Sequence, residues 1–468
     1  MSLCQHPSLS FEALETPKFT YRQPTALKLE EALSVSQPAA GKKRKTSVGK
    51  APKRQSESGE SNIRLPPSST FPAPVVVPGD ELFHDPDDPP QSVQEWINGD
   101  WRNDVTRRRR TIYVVPPPGV SDEVGFVDGW TNASSQSIRQ SSKKGKQTSV
   151  PEPANHPRVE DVLEYLQAFY HGLPVKLLDK PGLEFIAWDG GRPPRKSKME
   201  DQNRTNTIRY ISLSTGREAV RVRCRPSLDG AFAGQLNLDD LLDTTISILP
   251  SDAYALIMLL HHDLYEDEDD DFCCGRAYGG SRVAVISTAR YRPELDKKQK
   301  IDVEHSWPGS HCSAYIRRLH SGKLRRLQET VSDSEPTANS DPESAMQAAV
   351  TASHNLPLPV SSSQLSTLWL GRVCKTASHE LGHCFGIDHC VYYACIMQGT
   401  ARMEEDVRQP PYLCPIDLSK MLRATGTDRD ERYRALLEFS RKWEEDRMFA
   451  AFGAWIEARL NEQRAIDD

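Results

Sequence analysis

Over the first hundred positions the apolar residues follow neither a two-residue nor a 3.6-residue repeat. Residues 41–54 read GKKRKTSVGKAPKR and residues 65–78 read LPPSSTFPAPVVVP. Such stretches offer too little patterned apolar surface to offset the cost of ordering, so residues 1–106 are expected to form a low-complexity, disordered tail. Pattern begins at residues 111–115 (TIYVV), a short strand stopped by prolines. Residues 159–171 place Val159, Val162, Leu163, Leu166 and Phe169 at helical spacing, and 175–178 resume as a strand. Strand, helix, strand is the opening of an α/β layer. Residues 236–249 predict a helix with Leu238, Leu241, Leu242 and Ile246 on one side. Residues 254–260 (YALIMLL) form an uninterrupted apolar run of strand length, suited to a central strand buried on both faces. Residues 282–289 (RVAVISTA) read as a further strand, and 429–443 and 449–460 as amphipathic helices. There is no internal repeat.

Two polar blocks interrupt this order. Residues 188–234 and 293–365 are read as insertions, the second carrying the low-complexity run SDSEPTANSDPES. The expected organisation is a tail (1–106), one α/β domain (107–447) with these insertions, and a C-terminal helix (448–468). With 37% apolar and 26% charged residues among 468, part of the chain is expected to stay outside any core. The net charge of −6 implies no general attraction to nucleic acid or membrane. The start, MSLCQHPSLSFEALETP, lacks the basic and apolar regions of a secretory leader, and no apolar run is long enough to span a bilayer. A cytoplasmic chain is expected. The KKRK run at 42–45 is either a nuclear import signal or a solvated basic tail. In that compartment the ten cysteines are expected to be metal ligands or buried thiols, not disulfides.

The chemistry concentrates in residues 376–390, TASHELGHCFGIDHC. His379 and His383 are four apart, one helical turn plus about 40°, so both imidazoles leave one face of a helix. Two such rings can bind one tetrahedral zinc. Glu380 lies about 100° round the helix, placed to act on a water at the metal and not as a third ligand. Gly386 can take a positive φ, end the helix and return His389 as the third ligand. Three histidines leave the fourth position open, the mark of a catalytic zinc. HExxH alone occurs by chance in roughly 2–3% of chains this long; with the glycine and third histidine the chance falls to the order of one in tens of thousands. Zinc there would lower the pKa of its water toward about 7 and polarise a scissile carbonyl, with Glu380 moving the proton to the leaving amine. Met397 fits the methionine turn that follows such a site and is expected to pack beneath the histidines; a plain core methionine looks much the same.

With Cys390, Cys395 and Cys414 added, the run HELGHCFGIDHCVYYACIMQG followed by LCPID resembles the archaemetzincins, a family of metzincin zinc metallopeptidases. YHGLPVKLLD, LIMLLHHDLY, RVAVISTARY and CKTASHE are also similar to the family's core, so the resemblance covers roughly 107–443 without the insertions. It implies an α/β fold of the metzincin type, a twisted mixed sheet packed on helices that include the zinc-binding helix. It implies that the strand near 283–287 is the sheet edge above the cleft, where an extended peptide or protein substrate could pair. It also implies a second, structural zinc held by a Cys-x4-Cys-x-Met segment and a Cys-x-x-Cys pair. Cys390, Cys395 and Cys414 match its first three positions and Asp417 stands at the fourth. Asp417 is then either a carboxylate ligand or the cap of a helix starting near Leu418. The alternative to a peptidase is a zinc-bearing binding or scaffold protein with little turnover. Nucleic acid is not an expected partner, because the basic tail has no interleaved aromatics, and a monomer is the default.

Other residues carry less. Tyr392 and Tyr393 are read as core or surface before catalysis. Cys273 and Cys274 are read as buried, the acidic loop 266–271 as solvated because it lacks calcium-loop spacing, and His261 and His262 as surface residues. His305, His311 and Cys312 lie in the second insertion with no recognisable spacing.

Overall fold

In the computed structural model, which describes residues 4, 6, 8–13, 21–35, 65–134, 154–178, 180, 182–188, 210–321 and 344–467, the apolar run Ala253–Leu260 is the middle strand of a five-stranded sheet. Thr111–Val115 and Val283–Ser287 flank it in parallel, and Val175–Leu177 lies outside Thr111–Val115. Side chains along the middle strand divide by the two-residue pleat: Ala255, Ile257 and Leu259 enter one core, Leu256, Met258 and Leu260 another. Burial on both faces is why this strand reads as apolar without alternation. The edge differs from the expectation. Gly275–Tyr278 pairs antiparallel with Val283–Ser287 and takes the edge position itself. At four residues, GRAY is too short to show a pattern.

One core lies under the helices Val159–Phe169 and Ser362–Cys384. The other lies under the helix Leu238–Ser247 and a second sheet of Gly119–Val120, Glu184–Ile186, Tyr210–Ser214, Ala219–Arg225, Gln235–Asn237 and Asp263–Tyr265. The block 188–234 is therefore not wholly an insertion. Residues 210–225 form a hairpin turned at Gly216 (φ 75°), with Ile211, Leu213, Val222 and Cys224 facing the core. Residues 189–209 lie outside the described residues. On the helix Leu238–Ser247, Leu238, Leu241 and Leu242 are buried, whereas Ile246 is exposed.

The expected tail also needs correction. Phe71, Val93 and Trp96 are in the main core, and the helices Ala26–Leu33 and Val93–Asn98 pack against it. Ser92 and Glu95 close a reciprocal capping box on the second of these helices. Residues 65–78 bury Phe71, Ala73 and Val77 in extended, proline-rich backbone, a form of packing that periodicity cannot reveal. The basic run 41–54 lies outside the described residues. In the second insertion, the helix Ala345–His354 buries Ala345, Met346 and Ala349 against the C-terminal helix Arg447–Asp467, while 322–343 lie outside the described residues. The C-terminal helix is no appendage, since Phe449, Phe452, Trp455 and Ile456 belong to the main core. Among the described residues no helix is long and apolar enough to cross a membrane.

Candidate active site and metal centres

The helix Ser362–Cys384 starts at a capping box of Ser361 and Gln364 and runs beneath the sheet to the motif. Its end is a Schellman turn: Ile387 N–H donates to Gly382 O at 3.3 Å and Gly386 N–H to His383 O at 2.9 Å. Gly386 has φ +71°, which a side chain would strain. This turn sends the chain back so that His389 joins His379 and His383, with one ring nitrogen of each within 4.8 Å of the others. Segments of the supposed tail hold the turn in place. Trp96 Nε1 donates to Phe385 O at 2.9 Å, and Gln91 Nε2 to Gly386 O at 3.0 Å and Asp388 Oδ2 at 2.6 Å. Tyr170 stacks on Phe385.

Two histidines are oriented through their outer nitrogens. His379 Nδ1 donates to Ile396 O and His383 Nδ1 to Ile387 O, each at 2.7 Å. That fixes the tautomer with a lone pair on each Nε2, the arrangement found in metal-binding imidazoles. The two Nε2 atoms are 3.0 Å apart. Nitrogens about 2.0–2.1 Å from one tetrahedral ion stand about 3.3–3.4 Å apart, so the pair is close to zinc spacing. Burial lowers both imidazoles from their usual value, which keeps them neutral. Met397 is fully buried with its sulfur against Gly382, beneath the helix between the two histidines.

The histidines open onto a cleft of about 570 Å³ lined also by Glu380, Cys274, Arg276, Ala277 and Tyr291. Burial pushes Glu380 up to about 8, opposed by the Arg276 guanidinium. The new edge strand forms one wall. Cys274 O accepts from Ser287 N–H at 2.8 Å, so alternation places the N–H and C=O groups of Gly275 and Ala277 on the open side. Cys273 Sγ reaches Gly275 O at 3.3 Å, and Cys274 Sγ lies 3.4 Å from Met403 Sδ.

Behind the site, Cys390, Cys395, Cys414 and Asp417 form a second, fully buried cluster. Cys390 Sγ and Cys414 Sγ are 3.6 Å apart, and Asp417 Oδ2 lies 3.3 Å from Cys395 Sγ and 3.4 Å from Cys414 Sγ. Backbone N–H groups of Met397, Cys414 and Asp417 point at the sulfurs. Asp417 is not a helix cap. The helix Pro415–Thr425 begins two residues earlier, with Cys414 at its cap, and leaves the Asp417 carboxylate facing the cysteines. Lys420 Nζ holds the other oxygen at 2.9 Å.

Tyr392 and Tyr393 are buried in the core, within the expected reading, and do not line the cleft. The two histidines read as surface residues are covered. His262 is buried with Nε2 on Val127 O, and His261 packs on His156. The carbonyls of Asp267, Glu268 and Asp270 in the acidic loop accept from the Arg225 guanidinium. His305 and Cys312 meet Cys4 and His6, a grouping missed because its halves are about 300 residues apart.

The helix-borne histidine pair with its returning third ring fits a family-level comparison. Residues 357–423 match the model of peptidase family M54. Rat archaemetzincin-2 is 30% identical over 365 residues, covering 78% of this chain and 72% of the relative. Archaemetzincin-2 of Pongo abelii is 23% identical over 380 residues, 81% of this chain and 77% of the relative. The crystal structure of archaemetzincin from Methanopyrus kandleri, at 18% identity, aligns with 69% of this chain and 99% of its own, with a TM-score of 0.30. The chain is a zinc metallopeptidase. It belongs to the archaemetzincin family.

Proposed function

We propose that His379, His383 and His389 hold the catalytic zinc and that Glu380 is the general base of peptide-bond hydrolysis. The observation that carries this reading is the pair of Nε2 atoms 3.0 Å apart, each ring anchored through Nδ1 to a backbone carbonyl. Zinc bound there supplies a lowered water pKa, toward about 7, and a polarised carbonyl. Glu380 accepts the proton of the attacking water and delivers it to the leaving amine. Its burial beside the cleft makes the carboxylate a stronger base once ionised. The substrate is an extended peptide laid along Gly275–Tyr278, whose open-side groups at Gly275 and Ala277 can hydrogen-bond its main chain.

A second zinc on Cys390, Cys395, Cys414 and Asp417 completes the reading. Three thiolates and one carboxylate give a closed set, the form of a structural site. Lys420 and the helix N-terminus at Pro415 offset part of its negative charge. This cluster fixes the segment 390–397, which carries both Ile396 O and Met397 to the histidines.

The test is hydrolysis of a mixed peptide library by the full chain, before and after chelation. Turnover that disappears with chelator and returns with added zinc supports the reading. Turnover that survives removal of all zinc contradicts it.

A further inference from the structure

We propose a further metal site, a zinc held by Cys4, His6, His305 and Cys312, that clasps the N-terminal segment onto residues 302–321. One ligand atom from each of these four residues lies within 4.8 Å of the others. Two thiolates and two imidazoles make a closed tetrahedral zinc set. Sulfurs about 2.3 Å from one tetrahedral ion stand about 3.8 Å apart. Cys4 Sγ and Cys312 Sγ are 3.8 Å apart, far beyond the roughly 2.05 Å of a disulfide.

The surroundings are those of a ligand shell. His305 Nδ1 is 2.9 Å from Asp302 Oδ2, and the ring stacks on Tyr315 with centroids 4.1 Å apart. A carboxylate on the outer nitrogen orients an imidazole and raises the basicity of its other nitrogen, which is left for a metal. The His6 side chain is buried at 5% exposure, and its Nδ1 has no hydrogen-bond partner. A buried polar atom left without a partner is costly, and a bound ligand is one way such an atom gains a partner. The backbone is already aligned. Ser10 N–H donates to His311 O at 2.8 Å, Ser313 N–H to Ser8 O at 3.0 Å, and Cys4 N–H to Glu304 Oε1. These bonds, a further one from Ala73 N–H to Phe11 O, and apolar contacts of Leu9, Phe11 and the group around Cys312, Tyr315 and Ile316 already hold the segment in place. Metal binding, with release of the two thiol protons, adds a further tie.

The site is separate from the cleft, since none of its four residues lines it. It is also distinct from the Cys390 cluster, with which it shares no residue. Its role is structural: it fixes Cys4, His6 and residues 8–13 against the segment that carries Trp307.

The experiment is elemental analysis of zinc in the full-length protein after dialysis against zinc-free buffer, for wild type, His6→Ala, Cys312→Ser and Asp302→Asn. Each of the first two variants should hold one zinc fewer per chain than wild type, with peptide turnover unchanged. Asp302→Asn should keep the zinc but release it to chelator at about 10–100-fold lower chelator concentration, as expected for loss of an orienting carboxylate. That graded response separates ligation from misfolding. Equal zinc in wild type, His6→Ala and Cys312→Ser overturns the proposal. So does a wild-type mass lower by two hydrogens with Cys4 and Cys312 linked, which would make the pair a disulfide.

Discussion

Gly382 rests directly on the sulfur of Met397. A Cβ added at that helix position would fall inside Met397 Sδ. The methionine therefore fills the space a side chain would take, and the helix carries His379 and His383 at a height set by that contact. Gly382→Ala should push helix and methionine apart. The expected cost is about 1–3 kcal/mol of stability, typical of overpacking in a filled core. Weaker zinc retention should accompany it. A chemical denaturation curve and zinc content on one preparation check both, and an unchanged midpoint with unchanged zinc would remove Met397 as the platform under the histidines.

The motif was readable because all its parts lie within eleven residues, His379 to His389, and obey helix geometry and one glycine turn. The central strand was readable because burial on both faces leaves an unbroken apolar run. The cleft wall was not, since Gly275–Tyr278 is short and gains its role only by pairing with Val283–Ser287. The hairpin in 210–225 was read as part of an insertion, because Arg217, Glu218, Arg221, Arg223 and Arg225 make the stretch polar although Ile211 alternates with Leu213 and Val222 with Cys224. Residues 65–100 were misread because Phe71 and Trp96 join the core from short or irregular elements.

Trp96 bears on that last point. It is fully buried, and its indole N–H holds Phe385 O at the turn that returns His389. Trp96→Ala should cost about 3–5 kcal/mol, the range for emptying an aromatic core position. Removal of residues 1–100 should destroy cooperative melting, contrary to what a disordered tail would give. A truncated chain that melts at the wild-type temperature would return this segment to the status of a tail.

Asp417 can be tested by metal count. Zinc accepts a carboxylate oxygen at about 2.0–2.2 Å, but carboxylate is a harder ligand than thiolate. Asp417→Ala should lose one zinc per chain, and Asp417→Cys should hold that zinc against a higher chelator concentration than wild type. Equal zinc and equal chelator resistance in all three would leave the carboxylate to Lys420 alone.

Stability should fall in mild acid. Burial holds His262 and His311 down at about 4, against about 6.5 when exposed. The unfolded chain therefore takes up these protons first. Their contribution is fully present above about pH 6.5 and is lost as pH falls from there toward about 4, roughly 2 kcal/mol each by pH 5. Urea midpoints for wild type and His262→Gln at about pH 7.5 and pH 5 isolate one of them. The variant should show the smaller drop, and parallel drops would exclude His262 as a source.

The most direct test of the central claim is Glu380→Gln, with peptide turnover and zinc content measured on the same preparation. Glu380 acts on the water and its proton and not on the metal, so zinc should remain at the wild-type level while turnover falls by about 10²–10⁴-fold, the range for a lost general base. Turnover close to wild type would contradict the assignment of Glu380 as the base, and loss of zinc along with activity would show that the residue holds the site together instead.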